Sequence, residues 1–140
     1  MNDAADWLVE RRKCTLDAAF SNIYAFVDCY VKASNDMQTD QEKGFPYSLQ
    51  DWKTPHRAFV VEGFPFGTGN AEDKVIVRFV LNNDNITISY DASPPGRELP
   101  DLVVTQKWNA RKATCVLCMH GEEWTNQQIS QMAVDPLFFV

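Results

Sequence analysis

The chain contains no run of apolar residues approaching the roughly 18 that a membrane span requires. Its opening segment, MNDAADWLVERRK, lacks the apolar core of a secretory signal. A cytoplasmic protein is therefore expected, and in that compartment its cysteines (Cys14, Cys29, Cys115, Cys118) are reduced by default. Histidine is nearly absent, at two residues, which leaves few nucleophile–base pairs to consider. No serine stands in a Gly-x-Ser-x-Gly elbow. The glycine-containing stretch Gly63–Asn70 lacks the Lys-Ser/Thr pair of a phosphate-binding loop and leads into no helical pattern. Positive charge is scarce: 13 Lys plus Arg stand against 19 Asp plus Glu, a formal net charge of −6 that repels phosphate backbones and anionic lipid. The one dense basic run, Arg11–Arg12–Lys13, lies inside a helical pattern and reads as a solvated face. Direct nucleic-acid and membrane binding are thus not expected.

What remains is an ordinary globular composition. A chain of 140 residues makes one domain, 1–140, and is too short for two comfortable ones. A domain of this size buries roughly 68% of the surface of its unfolded chain, so it requires neither disulfide nor metal to stay folded.

Leu16, Phe20, Ile23, Val27 and Tyr30 repeat at spacings that keep them on one helical face, with Ala19 and Phe26 widening the stripe. One unbroken helix over residues 4–33 would be about 45 Å long. The whole domain is only roughly 35–40 Å across. Either the helix breaks near Cys14–Thr15 or one end projects and needs a partner to cover it. Residues 37–56 read as a connection with at most one helical turn at Ser48–Asp51. Five strands follow: Arg57–Glu62, Val75–Leu81, Asn85–Tyr90, Leu102–Trp108 and Lys112–Met119. Asn82–Asn83–Asp84 and Asn109–Ala110–Arg111 have hairpin chemistry. The last helix carries the best local signal, a Thr125-x-x-Gln128 capping box with Trp124 and Ile129 around it. It should stop near Asp135–Pro136, because a residue before proline avoids helical angles. The fold expected is α+β: a single antiparallel sheet of about five strands, with a long N-terminal helix and a short C-terminal helix packed on it.

The segment Ala113–Gln128, ATCVLCMHGEEWTNQQ, looks like chemistry. On a strand, however, Cys115 and Cys118 point to opposite faces and cannot bond to each other. Zinc would need four ligands; Cys118 and His120 share a face, but Cys14 and Cys29 lie about 22 Å apart along one helical pattern, leaving His56 as the further candidate. The expectation is no metal, no cofactor and no catalytic set, with the thiols acting as small buried hydrophobes in a sheet.

Two functional readings follow. The first is a non-enzymatic protein–protein interaction domain, a homodimer whose surface draws on Trp124, Met132, Leu137, Phe138 and Phe139. Acidic loop residues (Glu72, Asp73, Asp84, Asp91, Glu98, Asp101) would steer a basic protein partner. Small size, acidity and the missing catalytic constellation resemble small helper proteins, chaperone-like or inhibitor- and immunity-like. The alternative is a small-molecule-binding protein or enzyme with a pocket between the long helix and the sheet, to which Tyr90, Trp108, His120 and Glu122 contribute.

Overall fold

The computed structural model describes residues 3–38, 46–52, 57–64, 71–93 and 96–139. Two helices come first, α1 (Asp3–Arg12) and α2 (Leu16–Asp36). Seven strands follow: β1 (Ser48–Trp52), β2 (Ala58–Gly63), β3 (Val75–Leu81), β4 (Ile86–Ala92), β5 (Leu102–Asn109), β6 (Thr114–Met119) and β7 (Glu122–Trp124). A short 3-10 turn, Ala71–Asp73, precedes β3, and α3 (Asn126–Phe138) closes the order. The strands form one antiparallel meander in chain order. The class is α+β with a single antiparallel sheet, as expected, but with seven strands and three helices among the described residues.

The N-terminal helix breaks at Lys13–Thr15, the first of the two outcomes the length argument allowed. Thr15 takes an extended conformation and its hydroxyl accepts a hydrogen bond from the Ala18 N–H (3.1 Å), capping α2. The apolar stripe then buries Ala19, Phe20, Ile23, Val27 and Val31. α3 buries Ile129, Ala133, Val134 and Leu137. Both lie on the sheet face formed by Phe59, Val61, Val75, Val77, Phe79, Ile86, Ile88, Leu102, Val104, Leu117 and Met119, and together these side chains form the core. The opposite face carries polar pairs such as Arg78–Asp91 (2.6 Å) and, at its margin, Lys74–Glu62 (3.3 Å).

Three expectations need correction. Ser48–Asp51 is strand rather than helical turn. Leu49 pairs with Val61 in β2, and Asn35 of α2 clamps Tyr47, its side chain accepting from the Tyr47 N–H (2.8 Å) and donating to the Tyr47 carbonyl (2.9 Å). The Tyr47 ring then occupies the space where a Cβ on Gly63 would stand. Glu122–Trp124 is likewise strand. His120 and Gly121, with φ of 53° and 77°, make the tight two-residue turn that pairs Met119 with Glu122. Finally, α3 continues through Pro136 to Phe138. The proline removes only the N–H that would face the Met132 carbonyl, and donors from outside the helix reach other carbonyls at its C-terminal end. The Tyr90 hydroxyl donates to Ala133 (2.7 Å), and Arg97 donates to Pro136 (3.2 Å) and Phe139 (3.4 Å). No basic residue lies in the helix's own last turn, so Arg97 also supplies the positive charge its C-terminus favours.

β5 changes partners along its length. Leu102–Val104 pairs with β4, whereas Thr105–Asn109 pairs with β6. The far half of the β5–β6 hairpin therefore extends past β4, and α1 lies against it. At its tip Asn109 pairs with Thr114, and the Asn109 side chain accepts from the Lys112 N–H (3.1 Å). Ala113 is left at φ 49°. A left-handed non-glycine residue costs roughly 1–2 kcal/mol, partly offset in glycine by its greater unfolded-state entropy. Ala113→Gly is therefore expected to raise unfolding free energy by about 0.5–1 kcal/mol, checked by urea denaturation. A decrease would show that the tip does not hold this conformation.

Candidate functional site

The C-terminal tail separates into three environments. Leu137 is fully buried and belongs to the core. Phe138 is half-buried, its ring edge-on to Tyr47 at 4.9 Å. Phe139 is 65% exposed. Helical rotation of about 100° per residue separates Leu137, which faces the core, from Phe138, whereas Phe139 follows the helix in an extended conformation (φ −127°, ψ 147°).

Two clefts flank the outer side of α3. One, of 360 Å³, is lined by Tyr30, Ala33 and Ser34 of α2 with Val134, Phe138 and Phe139. The other is lined by Trp124, Gln128, Met132 and Pro136. Gln131 and Asp135 border both, so the two are halves of one strip. At one edge Gln131 donates to the Tyr30 hydroxyl (3.2 Å), and Phe26 stacks on Tyr30 at 6.3 Å. At the other edge the Trp124 indole N–H donates to the Met119 carbonyl (3.2 Å), fixing the ring against the β6–β7 turn. Of the five residues assigned to a partner surface, Trp124, Met132, Phe138 and Phe139 thus line one strip. Leu137 supports it from beneath. Tyr30, Gln131 and Pro136 carry no such signal in the sequence: Tyr30 stands in the apolar stripe of α2, and its half-exposure depends on where α3 crosses α2.

The four residues proposed to line a pocket do not converge. Tyr90 points into α3 and is held by its bond to Ala133. Burial raises its phenol to about 12, with the negative charge of Asp135 adding to the shift and Arg97 opposing it. Trp108 lies at the far end of the β5–β6 hairpin, opposite Cys115 and beneath the Arg11 guanidinium at 5.3 Å. His120 and Glu122 sit exposed at the other end of β6, about 16 Å away at 3.3 Å per strand residue. A cleft at the margin of α2 and the sheet, of 340 Å³, is lined instead by Phe20, Ser21, Tyr24, Asp51 and Arg57. Arg57 there already pairs with Asp17 (3.1 Å) and donates to Ser21 (3.2 Å). Burial, followed by the nearby carboxylates of Asp51 and Asp28, raises the Tyr24 phenol.

The cysteines depart from expectation. Alternation along β6 holds: Leu117 and Met119 face the core, and Cys118 points the other way. Neither Cys115 nor Cys118 is buried, because the strand leaves the core before Cys115 and Cys118 faces away from it. Nor are all four thiols free. Cys14 and Cys115, 101 residues apart in sequence, are joined as a disulfide with Cα atoms 5.3 Å apart. Spacing within Cys-x-x-Cys could not reveal a partner supplied by the break between α1 and α2. Cys29 and Cys118 are free. Among the described residues no three His, Cys, Asp or Glu side chains gather as a metal site; His56 lies outside the described residues. No described helix is long and apolar enough to cross a membrane.

No family model matches the chain, and no curated protein or solved structure matches it significantly.

Two measurements test these assignments. Read at protein concentrations where the chain is monomeric, Leu137→Ala should cost about 2–4 kcal/mol of stability, as a core truncation does, whereas Phe139→Ala should stay within about 0.5 kcal/mol. Equal effects in urea titration would refute the division of the tail. The Tyr90 phenol titrates higher folded than its ordinary value of 10.0, so its contribution is full below pH 10 and is lost as pH rises toward 12. Tyr90→Phe should cost about 1–2 kcal/mol at neutral pH and flatten the alkaline decline in stability. An unchanged decline would place the titration elsewhere.

Proposed function

We propose that this chain is a non-enzymatic protein-interaction domain that pairs with a second copy of itself through the outer strip of α3. The observation that carries the reading is the continuity of that strip: Trp124, Met132 and Pro136 on one flank, Tyr30, Phe138 and Phe139 on the other, with Gln131 and Asp135 shared between them. Aromatic residues and methionine are what association surfaces concentrate, while charge is depleted at their centres. Two copies each carrying −6 repel one another over most approaches. Across this strip Asp135 is the one charged lining residue. The strip is therefore a face on which like-charged copies can meet. The remaining acidic surface would steer a basic protein partner, as in small acidic helpers of the chaperone-like or inhibitor- and immunity-like kind.

A second reading, small-molecule binding, draws on the cleft of Phe20, Ser21, Tyr24, Asp51 and Arg57. An added ligand there would have to displace Asp17 from Arg57. Fragment screening by NMR, with shifts confined to Tyr24 and Arg57, would favour it; no shift at those residues would remove it.

For the first reading, light scattering of the intact chain should give a dimer. Trp124→Ala and Phe139→Ala should each weaken self-association by about thirtyfold, the effect of losing an interface anchor. Phe139→Asp should give a monomer with an unchanged far-UV spectrum. A wild-type chain that remains monomeric at its highest attainable concentration would defeat the proposal.

A further inference from the structure

Every side chain of α1 from Ala4 to Arg12 is exposed, Trp7, Leu8 and Val9 at 50%, 43% and 49%. A ten-residue helix is below the length at which isolated helices persist in water. Its order must come from what it is fastened to. It lies on the part of the β5–β6 hairpin that has left β4 behind, so the main core does not support it. There Arg11 covers Trp108. The disulfide closes immediately after α1, from Cys14 in the break before α2 to Cys115 on β6. The Gln106 amide donates to both sulfurs. Cys115 is exposed and Cys14 half-buried, so a reagent in solution can reach the bond.

We propose that the Cys14–Cys115 bond is a thiol-operated clasp for α1, independent of the α3 strip. When it is closed, α1 stays on the hairpin. When it is opened, α1 comes away and presents Trp7, Leu8, Val9 and the uncovered Trp108, while the α2–α3–sheet core stays folded. The opening agent is a dithiol reductant. Its thiolate attacks the Cys115 sulfur, the bond between the two protein sulfurs breaks, and Cys14 leaves as a thiolate. The reductant's second thiol then displaces Cys115 and closes its own disulfide. Two electrons pass to the protein, whose two sulfurs become thiols once protonated. Negative charge on Cys14 is favoured by Arg11, Arg12 and Lys13 just before it and by the N-terminus of α2 just after it. An oxidising compartment keeps the clasp closed and a reducing one opens it.

Trypsin reads the state of the clasp directly, because its sites Arg11, Arg12 and Lys13 lie at the joint. The intact chain is compared after oxidation with glutathione disulfide and after reduction with dithiothreitol. Alkylation should mark Cys29 and Cys118 in the oxidised protein and all four cysteines in the reduced one. Brief trypsin treatment should then cut at Arg11–Lys13 about tenfold or more faster in the reduced protein, with Arg78 in β3 and Lys107 in β5 uncut, as expected for local opening. Cys14→Ser should be cut at the fast rate in either buffer, and Cys118→Ser should behave as wild type. Reduction of the wild-type chain makes the same test should Cys14→Ser fail to fold. Four reactive thiols after oxidation would overturn the proposal, as would a cutting rate at the joint that ignores reduction. Cuts spread through the strands at the same accelerated rate would also overturn it, since the bond would then be holding the whole domain.

Discussion

The stacked rings of Phe59 and Phe79, 4.4 Å apart at their centroids, hold the position from which the rest of the molecule is arranged. They are cross-strand partners on β2 and β3, so their contact fixes the register of the sheet's centre. From α2, Phe20 approaches Phe59 at 5.3 Å and Tyr24 meets it edge-on at 5.1 Å. Rings are stiff and fill space in few ways, so this cluster sets where α2 crosses the sheet. α3 takes the remaining width of the face and seals it with Ile129, Ala133 and Leu137. A one-residue slip of β2 would turn Phe59 to the outer face and empty the centre of the core.

The helical layer therefore ends where the core ends, and that boundary gives the molecule its surfaces. α3 lies beside α2 over β2 and β3, and its outward side carries Met132 and Pro136. α1 lies beyond the boundary on the other side, over a hairpin that has already separated from β4. One surface is rigid because it belongs to a helix anchored at both ends, by the Thr125–Gln128 capping box and by Arg97. The other depends on a fastening at a single joint.

Much of this was legible in the chain. The stripe on α2, the strict alternation of β3 and β4, and the Thr125–Gln128 box each state their geometry locally, through side-chain period or a short-range hydrogen bond. The missed strands lacked such statements. β1 has Leu49 as its inward apolar residue between Ser48 and Asp51, and exists because Asn35 and β2 pair with it. β7 has three residues and exists because His120–Gly121 turns the chain back tightly enough. The candidate surface was half visible. The aromatic tail stood out, but nothing local distinguishes Leu137, which is core, from Phe139, which is surface.

Sequence alone determined the periodicities, the caps, the acidic balance and hence the α+β class with its antiparallel sheet. Tertiary structure alone decided which strand edges would recruit Ser48–Trp52 and Glu122–Trp124, how far α3 could run past Pro136, and that Cys14 would meet Cys115. The physical reason is range. Period and capping act over one turn or one strand step, whereas an edge pairing, a donated guanidinium or a bond between residues 101 apart exists only after the chain has packed.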